Sequence, residues 1–154
     1  MAGLNLCVNW IDVALASGSY KTMCAIKAGA DQMVRIKSIW QSSAGIAGDA
    51  EPLSVRLCRI VADSGTGTGT TPQKLNNALT ATPRSTCRNN FTVEPTESGT
   101  APYIFPHKSH PQGASSKECS FDDVFVNEDT EIAVQIKLPS GGAINNTGHV
   151  IIEE

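Results

Sequence analysis

Three histidines are the first candidates for chemistry in this sequence, because imidazole binds metals and transfers protons near neutral pH. His107 and His110 lie three residues apart, between Pro106 and Pro111. Two histidines at that spacing reach one metal ion when they lie on a helix, and flanking prolines disfavour a helix. We therefore expect no metal site here, but a solvated loop or a loop at an interface. His149 precedes an apolar run and is expected to be structural.

Neighbouring carboxylates are the second candidates, at Asp122-Asp123 and at Glu128-Asp129. Acid–base catalysis by two carboxyl groups needs groups that face each other with separated pKa values. Adjacent strand residues point to opposite faces, and Glu128-Asp129 has the composition of a turn. The sequence contains no Gly-x-Ser-x-Gly motif, and nothing brings a cysteine and a histidine together. We expect no enzymatic activity and no cofactor.

A glycine-threonine run from Gly65 to Thr70 follows an apolar segment and raises the question of phosphate binding. A P-loop has the pattern Gly-x-x-x-x-Gly-Lys-Ser/Thr and leads into a helix. Here no lysine follows the last glycine, and Thr71-Pro72 disfavours the start of a helix. Because glycine loses much backbone entropy in a strand, the run predicts a mobile surface loop rather than a nucleotide site.

The five cysteines form no Cys-x-x-Cys pair, which argues against a zinc ribbon and a thioredoxin-type redox site. Free thiols are the default expectation. In an oxidising medium an odd number leaves at least one cysteine without a partner in its own chain, and that thiol could pair with another chain. The cysteines are Cys7, Cys24, Cys58, Cys87 and Cys119.

Length and charge restrict the class of protein. A chain of 154 residues is long enough for one domain over 1–154. The net charge of −3 and the absence of a basic run argue against nucleic-acid and membrane-surface binding. The first residues lack the basic and apolar regions of a signal peptide, so we expect synthesis in the cytoplasm.

The elements that must position these residues are predicted to be strands. Alternation of apolar and polar residues predicts about seven or eight strands, and turn residues separate them. A short amphipathic helix is the alternative for residues 4–15, and residues 75–81 could form a turn or two of helix. Together the patterns predict an all-β antiparallel β-sandwich of the jelly-roll type with long connecting loops. The predicted strands lie within 4–15, 20–28, 32–40, 52–61, 85–93, 121–126, 131–138 and 143–152.

Residues 100–117 combine three prolines with aromatic residues and histidines, which favours an extended, ordered excursion over a central strand. Within it, Tyr103-Ile104-Phe105 could anchor in a groove of a partner or could cover the sandwich itself. Trp40 is predicted to lie in the core, on one face with Val34 and Ile36.

The order of five short motifs resembles that of small virion proteins of tailed bacteriophages, the capsid decoration or cementing proteins. The resemblance covers about residues 26–96. The motifs are Ile26-Lys27-Ala28-Gly29, Val34-Arg35-Ile36, Pro52-Leu53-Ser54-Val55-Arg56-Leu57-Cys58-Arg59, Gly65-Thr66-Gly67-Thr68 with Thr71-Pro72, and Phe91-Thr92-Val93-Glu94-Pro95-Thr96.

The resemblance implies a β-sandwich that assembles as a homotrimer on the outer surface of the phage head and bridges neighbouring major capsid subunits. It implies no reaction, and modest contacts would become strong through multivalency. The expected contact elements are an N-terminal arm of about residues 1–8, the glycine-threonine run and the segment 103–110. The candidate contact residues are Leu4, Leu6, Thr66, Thr68, Tyr103, Ile104, Phe105, His107 and His110.

Five cysteines are more than this family usually needs. Because a virion leaves the reducing cytoplasm at lysis, Cys7, Cys87 or Cys119 could form disulfides between subunits, with free thiols as the alternative. The main alternative function is a phage neck, head-fibre or tail-appendage protein that joins parts or binds the host. A glycan-binding module and an enzyme are further, less favoured alternatives.

Overall fold

The computed structural model describes residues 3–15, 17–47, 52–99, 102–109, 114–117, 124–139 and 142–154. These residues form twelve β-strands, and no helix occurs among them. The strands are β1 Asn5–Leu15, β2 Tyr20–Lys27, β3 Val34–Ala47, β4 Leu53–Ile60, β5 Thr66–Thr70, β6 Gln73–Lys74, β7 Thr86–Val93, β8 Tyr103–Ser109, β9 Ala114–Lys117, β10 Phe125–Val126, β11 Glu131–Lys137 and β12 Gly142–Glu153. None of the described residues belongs to a helix that could cross a membrane.

The strands form two antiparallel sheets. The first sheet has the order β10-β3-β12-β1-β6, with β9 also paired to β3, and the second has the order β5-β7-β2-β11-β4-β8. The chain changes sheet at each step from β1 to β4 and again from β11 to β12. Eight strands therefore give the two four-stranded halves of a jelly roll, β1-β12-β3-β9 against β2-β11-β4-β8. The predicted antiparallel β-sandwich is confirmed.

The main core lies between the two sheets. Along β1 the residues Leu6, Val8 and Trp10 are buried, as the two-residue period of a strand requires. Strands β12 and β11 contribute matching apolar residues from the first and the second sheet, among them Val150 and Ile136. Burial of this apolar surface is the main favourable contribution to folding.

The second sheet is buried on both faces in its middle, which the alternating pattern of residues 131–138 does not predict. Residues Glu131 to Ile136 of β11 are all buried. A small outer cluster that includes Cys58, Phe91 and Ala133 covers part of the outer face, away from the first sheet. The outer face of this sheet therefore carries an organised layer of side chains.

A β-bulge makes the prediction for Trp40 wrong. The register between β3 and β12 shifts between the Ile36–Ile152 pair and the Ser38–Ile151 pair, which inserts one extra residue into β3. Beyond the bulge it is Ile39 that enters the core, at 4% exposure. Trp40 is instead half-buried and stacks on His149, with ring centroids 5.4 Å apart.

The glycine-threonine run is a strand and not a mobile loop. Residues Thr66–Thr70 form β5 at the end of the second sheet and pair with β7. Glycine is required at one position because a Cβ at Gly67 would lie 2.9 Å from Cε1 of Phe91. The entropic cost of glycine does not prevent a strand here, because β5 is short and lies at the edge of the sheet. The backbone of Gly67 also packs against the ring of Phe91.

Two further predictions for chain segments are also wrong. Residues 5–8 are part of β1, and Leu4 and Leu6 are 7% and 0% exposed, so they are core residues rather than contacts of a free arm. Residues 75–81 form a turn and not a helix, with Leu79 N donating to Asn76 O at 3.3 Å.

Candidate functional site

The predicted contact segment 103–110 lies largely on β8, the outermost strand of the second sheet. Tyr103 is 50% exposed, whereas Ile104 is partly buried and packs against the core. Phe105 and His107 belong to β8, but their side chains lie outside the described part, as does all of His110. Of this segment, the structure places Tyr103 on an accessible surface.

The other predicted contacts are distributed over different parts of the molecule. Thr66 and Thr68 are exposed on β5, at the opposite end of the second sheet from β8. Leu4 and Leu6 are buried, as described above. The predicted contact residues whose side chains the structure describes therefore do not lie together in one patch.

The predicted disulfide cysteines differ in accessibility. Cys7 is half-buried and free, and its thiol donates to Asn9 Oδ1 at 3.1 Å. Cys87 is free but only 2% exposed, and its thiol donates to Thr70 O at 3.0 Å. Cys87 is therefore less accessible than Cys7, and a disulfide from either residue to another subunit stays a prediction. Cys119 lies outside the described residues.

The most organised cluster of polar and aromatic groups surrounds Arg56 on the outer face of the second sheet. The Arg56 guanidinium carbon lies 3.6 Å from the ring centroid of Tyr20 and 4.1 Å from that of Tyr103. The guanidinium is thus held between two aromatic rings, an arrangement stabilised by cation–π attraction and by stacking. Arg56 is 7% exposed, so the contact is largely desolvated.

Hydrogen bonds fix the orientation of this cluster. Arg56 Nε donates to Gln135 Oε1 at 2.8 Å, and Arg56 Nη2 forms an ion pair with Glu97. The hydroxyl of Tyr103 donates to the second carboxylate oxygen of Glu97 at 3.0 Å. The buried charge is therefore paired, and two of its three nitrogens donate to side-chain acceptors.

Strand register explains why these residues meet. Arg56 lies directly opposite Gln135 in the β4–β11 pair, and Tyr103 lies opposite Cys58 in the β4–β8 pair. Because Val55 and Leu57 are core residues, the period of the strand turns Arg56 to the outer face. The sequence predicts Tyr103 as a candidate contact residue but does not single out Arg56 or Tyr20, and the three come from distant segments.

A second row of side chains crosses the same face beside Arg56. Tyr20 lies opposite Lys137, Lys137 opposite Ser54, and Ser54 opposite Lys108, so the row spans β2, β11, β4 and β8. Lys108 Nζ donates to Ser54 Oγ at 2.7 Å, and Lys137 Nζ lies 5.8 Å from the ring centroid of Tyr20. We call Tyr20, Lys137, Ser54 and Lys108 the cationic row.

A second buried charge cluster on this sheet has a structural role. Glu131 is 2% exposed and accepts two hydrogen bonds of 2.8 Å from Arg88 Nη2. It also accepts a hydrogen bond from Asp63 N at 2.8 Å, so it ties the turn after β4 to β7. Among the described residues no group of three or more potential metal ligands occurs.

The arrangement around Arg56 is suited to recognition by stacking, hydrogen bonding and charge. Comparisons with protein-family models, with curated proteins and with solved structures found no match for this chain.

Proposed function

We propose that this chain is a structural virion protein that decorates the head of a tailed bacteriophage and cements it by bridging neighbouring major capsid subunits. The proposal starts from the resemblance of residues 26–96 to capsid decoration proteins. It agrees with the jelly-roll sandwich, although a fold alone does not define a function.

The observation that carries the proposal is the position of Tyr103. This residue belongs to the segment expected to contact the capsid, and it is half exposed at the outermost strand of a sheet. Its ring is held against Arg56 and its hydroxyl against Glu97. Tyrosine and arginine dominate binding energy at protein interfaces, and a side chain already fixed in place loses little entropy on binding.

Assembly as a homotrimer would make a modest contact effective. If three copies each present one Tyr103 surface, the second and third contacts form at a high effective concentration. Cys7, the one accessible thiol among the predicted disulfide residues that the structure describes, is the candidate for a covalent lock between subunits. Electrophoresis of alkylated particles with and without reductant tests that lock separately.

The experiment that tests the proposal is quantification of the chain in purified virions of the phage that encodes it. We expect a copy number of the same order as that of the major capsid protein, with the chain on the outer surface. A few copies per particle would overturn decoration in favour of a neck, head-fibre or tail-appendage protein, and complete absence would overturn a virion role.

A binding assay then tests the role of Tyr103. Particles that lack the chain are mixed with purified wild-type protein or with Tyr103→Ala, and bound protein is measured after sedimentation. We expect Tyr103→Ala to weaken binding by about thirtyfold or more, which is the effect of one interface hot spot. Ile11→Ala is the control, because Ile11 is 70% exposed on the first sheet. Equal binding by both variants would contradict a Tyr103 contact.

A further inference from the structure

We infer that the cationic row is a binding site for the carboxylate side chains of an acidic segment in a protein partner. The inference rests on the proposed function, in which that partner is the major capsid protein. The inference adds to that function the chemistry of the contact: the capsid surface must present carboxylate side chains to this chain.

The lysines of the row differ from three other lysines of the chain in their charge partners, whereas Lys74, which donates to Leu79 O at 2.9 Å, resembles those of the row in having no ion pair among the described residues. Lys21, Lys27 and Lys37 each lie within 3.2 Å of a carboxylate oxygen. Lys108 donates only to the Ser54 hydroxyl, and Lys137 contacts the Tyr20 ring; neither has a carboxylate within ion-pair distance among the described residues. Two positive charges therefore face this surface without compensation.

Lys108 lines a small cavity, and Lys137 contacts the ring of Tyr20, which also lines it. Tyr20, Ser54, Pro106 and Lys108 line a cavity of about 160 Å³. A water molecule occupies about 30 Å³ in the liquid, so the cavity has room for a carboxylate and the methylene groups next to it. Tyr20 and Pro106 offer apolar walls to the methylene groups, and Lys108 offers its ammonium group to the carboxylate.

Ser54 completes the set of donors. Its oxygen already accepts a hydrogen bond from Lys108, which leaves the hydroxyl proton available for an acceptor. Ser54 and Lys108 thus bring donors to the cavity from β4 and β8, and Lys137 of β11 lies next to Ser54 in the row. A positive donor beside a hydroxyl donor is suited to charge-assisted recognition of a carboxylate.

An acidic protein segment fits this site better than a nucleic acid does. The chain carries a net charge of −3, so the surface as a whole does not attract a long polyanion. The cavity admits one small group and not a continuous phosphate backbone. Because β8 is the outermost strand of the second sheet among the described residues, the row ends at the edge of that sheet.

The test uses the full chain with a hexaglutamate peptide as the probe and a hexaglutamine peptide as the neutral reference. Binding is followed by two-dimensional amide NMR at low and at physiological salt. We expect shifts confined to residues around the cationic row, with weakening at higher salt. The double variant Lys108→Gln with Lys137→Gln should reduce the affinity for hexaglutamate more than tenfold.

A matched control separates the site from net charge. Lys74→Gln with Lys21→Gln removes the same number of positive charges away from the cavity, and we expect it to keep the affinity within about twofold. An equal loss in both double variants would overturn the inference. Tighter binding of a single-stranded RNA of six nucleotides than of hexaglutamate would also overturn it.

Particle binding distinguishes failure of this inference from failure of the proposed function. If hexaglutamate binds at the row and the chain is absent from virions, the site stands and the decoration function fails. If the chain decorates particles and the Lys108 and Lys137 variant binds them as well as wild type, decoration stands and the inference is overturned.

Discussion

Gly148 lies directly against the indole of Trp10 in the core between the two sheets. A Cβ built on Gly148 would lie 2.4 Å from Cζ2 of Trp10 and 2.4 Å from the carbonyl oxygen of Trp40. Real Cβ atoms do not approach backbone or ring atoms so closely, and Trp10 is 1% exposed and enclosed by neighbours. The indole position therefore depends on a glycine directly opposite Trp10, on the strand between β1 and β3.

Replacement of Gly148 by alanine should destabilise the fold. Because neither the indole nor the Trp40 backbone can move freely, we expect a loss of about 1–3 kcal/mol, the usual cost of overpacking. Urea unfolding followed by tryptophan fluorescence measures it. Gly69→Ala is the matched control, because nothing lies within 4 Å of a Cβ there. A loss below that of Gly69→Ala would contradict the close packing.

The buried hydrogen bonds of Asn146 should contribute strongly to stability. Trp10 Nε1 donates to Asn146 Oδ1 at 2.7 Å, and Asn146 Nδ2 donates to Ser43 Oγ at 2.9 Å. Asn146→Ala leaves the indole N–H without its acceptor in the core, so we expect a loss of about 1–3 kcal/mol. Chemical denaturation of Asn146→Ala and of Asn145→Ala, an exposed neighbour on β12, provides the comparison. Similar losses in both would contradict this role.

The ion pair between Arg88 and Glu131 should matter more than the exposed pair between Lys27 and Asp63. Glu131 is 2% exposed, so Arg88→Ala leaves a buried carboxylate without its cation, at a cost of about 3–5 kcal/mol. Lys27→Ala breaks a pair whose carboxylate is largely in solvent and should cost less than about 1 kcal/mol. Thermal unfolding of the two variants at equal salt tests the difference, and equal shifts would contradict it.

The layout of strands could be predicted from the sequence, because alternation and turn residues report which segments cross a sheet. The predictions for Trp40 and for the glycine-threonine run were wrong because a local feature changed the expected two-residue alternation or strand content. The bulge in β3 exchanges the faces of Ile39 and Trp40, and the close approach of Phe91 turns a glycine-rich run into an edge strand. Neither feature leaves a clear composition signal, since both depend on which strand is the neighbour.

The Arg56 cluster could be predicted only in part. Alternation places Arg56 on the outer face of its strand, but the partners Tyr20 and Tyr103 come from β2 and β8, which are far from β4 in the chain. Their approach depends on the pairing of β2 with β11 and of β4 with β8, which alternation does not specify. A tyrosine and an arginine in separate predicted strands therefore cannot be predicted to contact each other until the order of strands in the sheet is known.

Thiol reactivity gives a prediction about pH. Burial raises the pKa of the Cys7 thiol above its ordinary value of 9.0 and raises that of Cys58 to about 11. The thiolate is the reactive form, so alkylation by iodoacetamide should still accelerate between pH 8 and 10. We expect Cys7 to react first in the folded chain and Cys24, Cys58 and Cys87 to react only on unfolding. Peptide mass spectrometry assigns each site, and early labelling of Cys58 would contradict its burial.

The same shift makes stability depend on pH. Above pH 9 the unfolded chain releases the Cys58 proton, whereas the folded chain keeps it until about pH 11. The unfolded state then binds fewer protons, so the free energy of unfolding falls as pH rises through this range. Cys58→Ala removes this contribution, and its free energy of unfolding should fall less steeply between pH 9 and 11 than that of the wild type. Identical slopes in urea unfolding at pH 9, 10 and 11 would show that Cys58 titrates equally in both states.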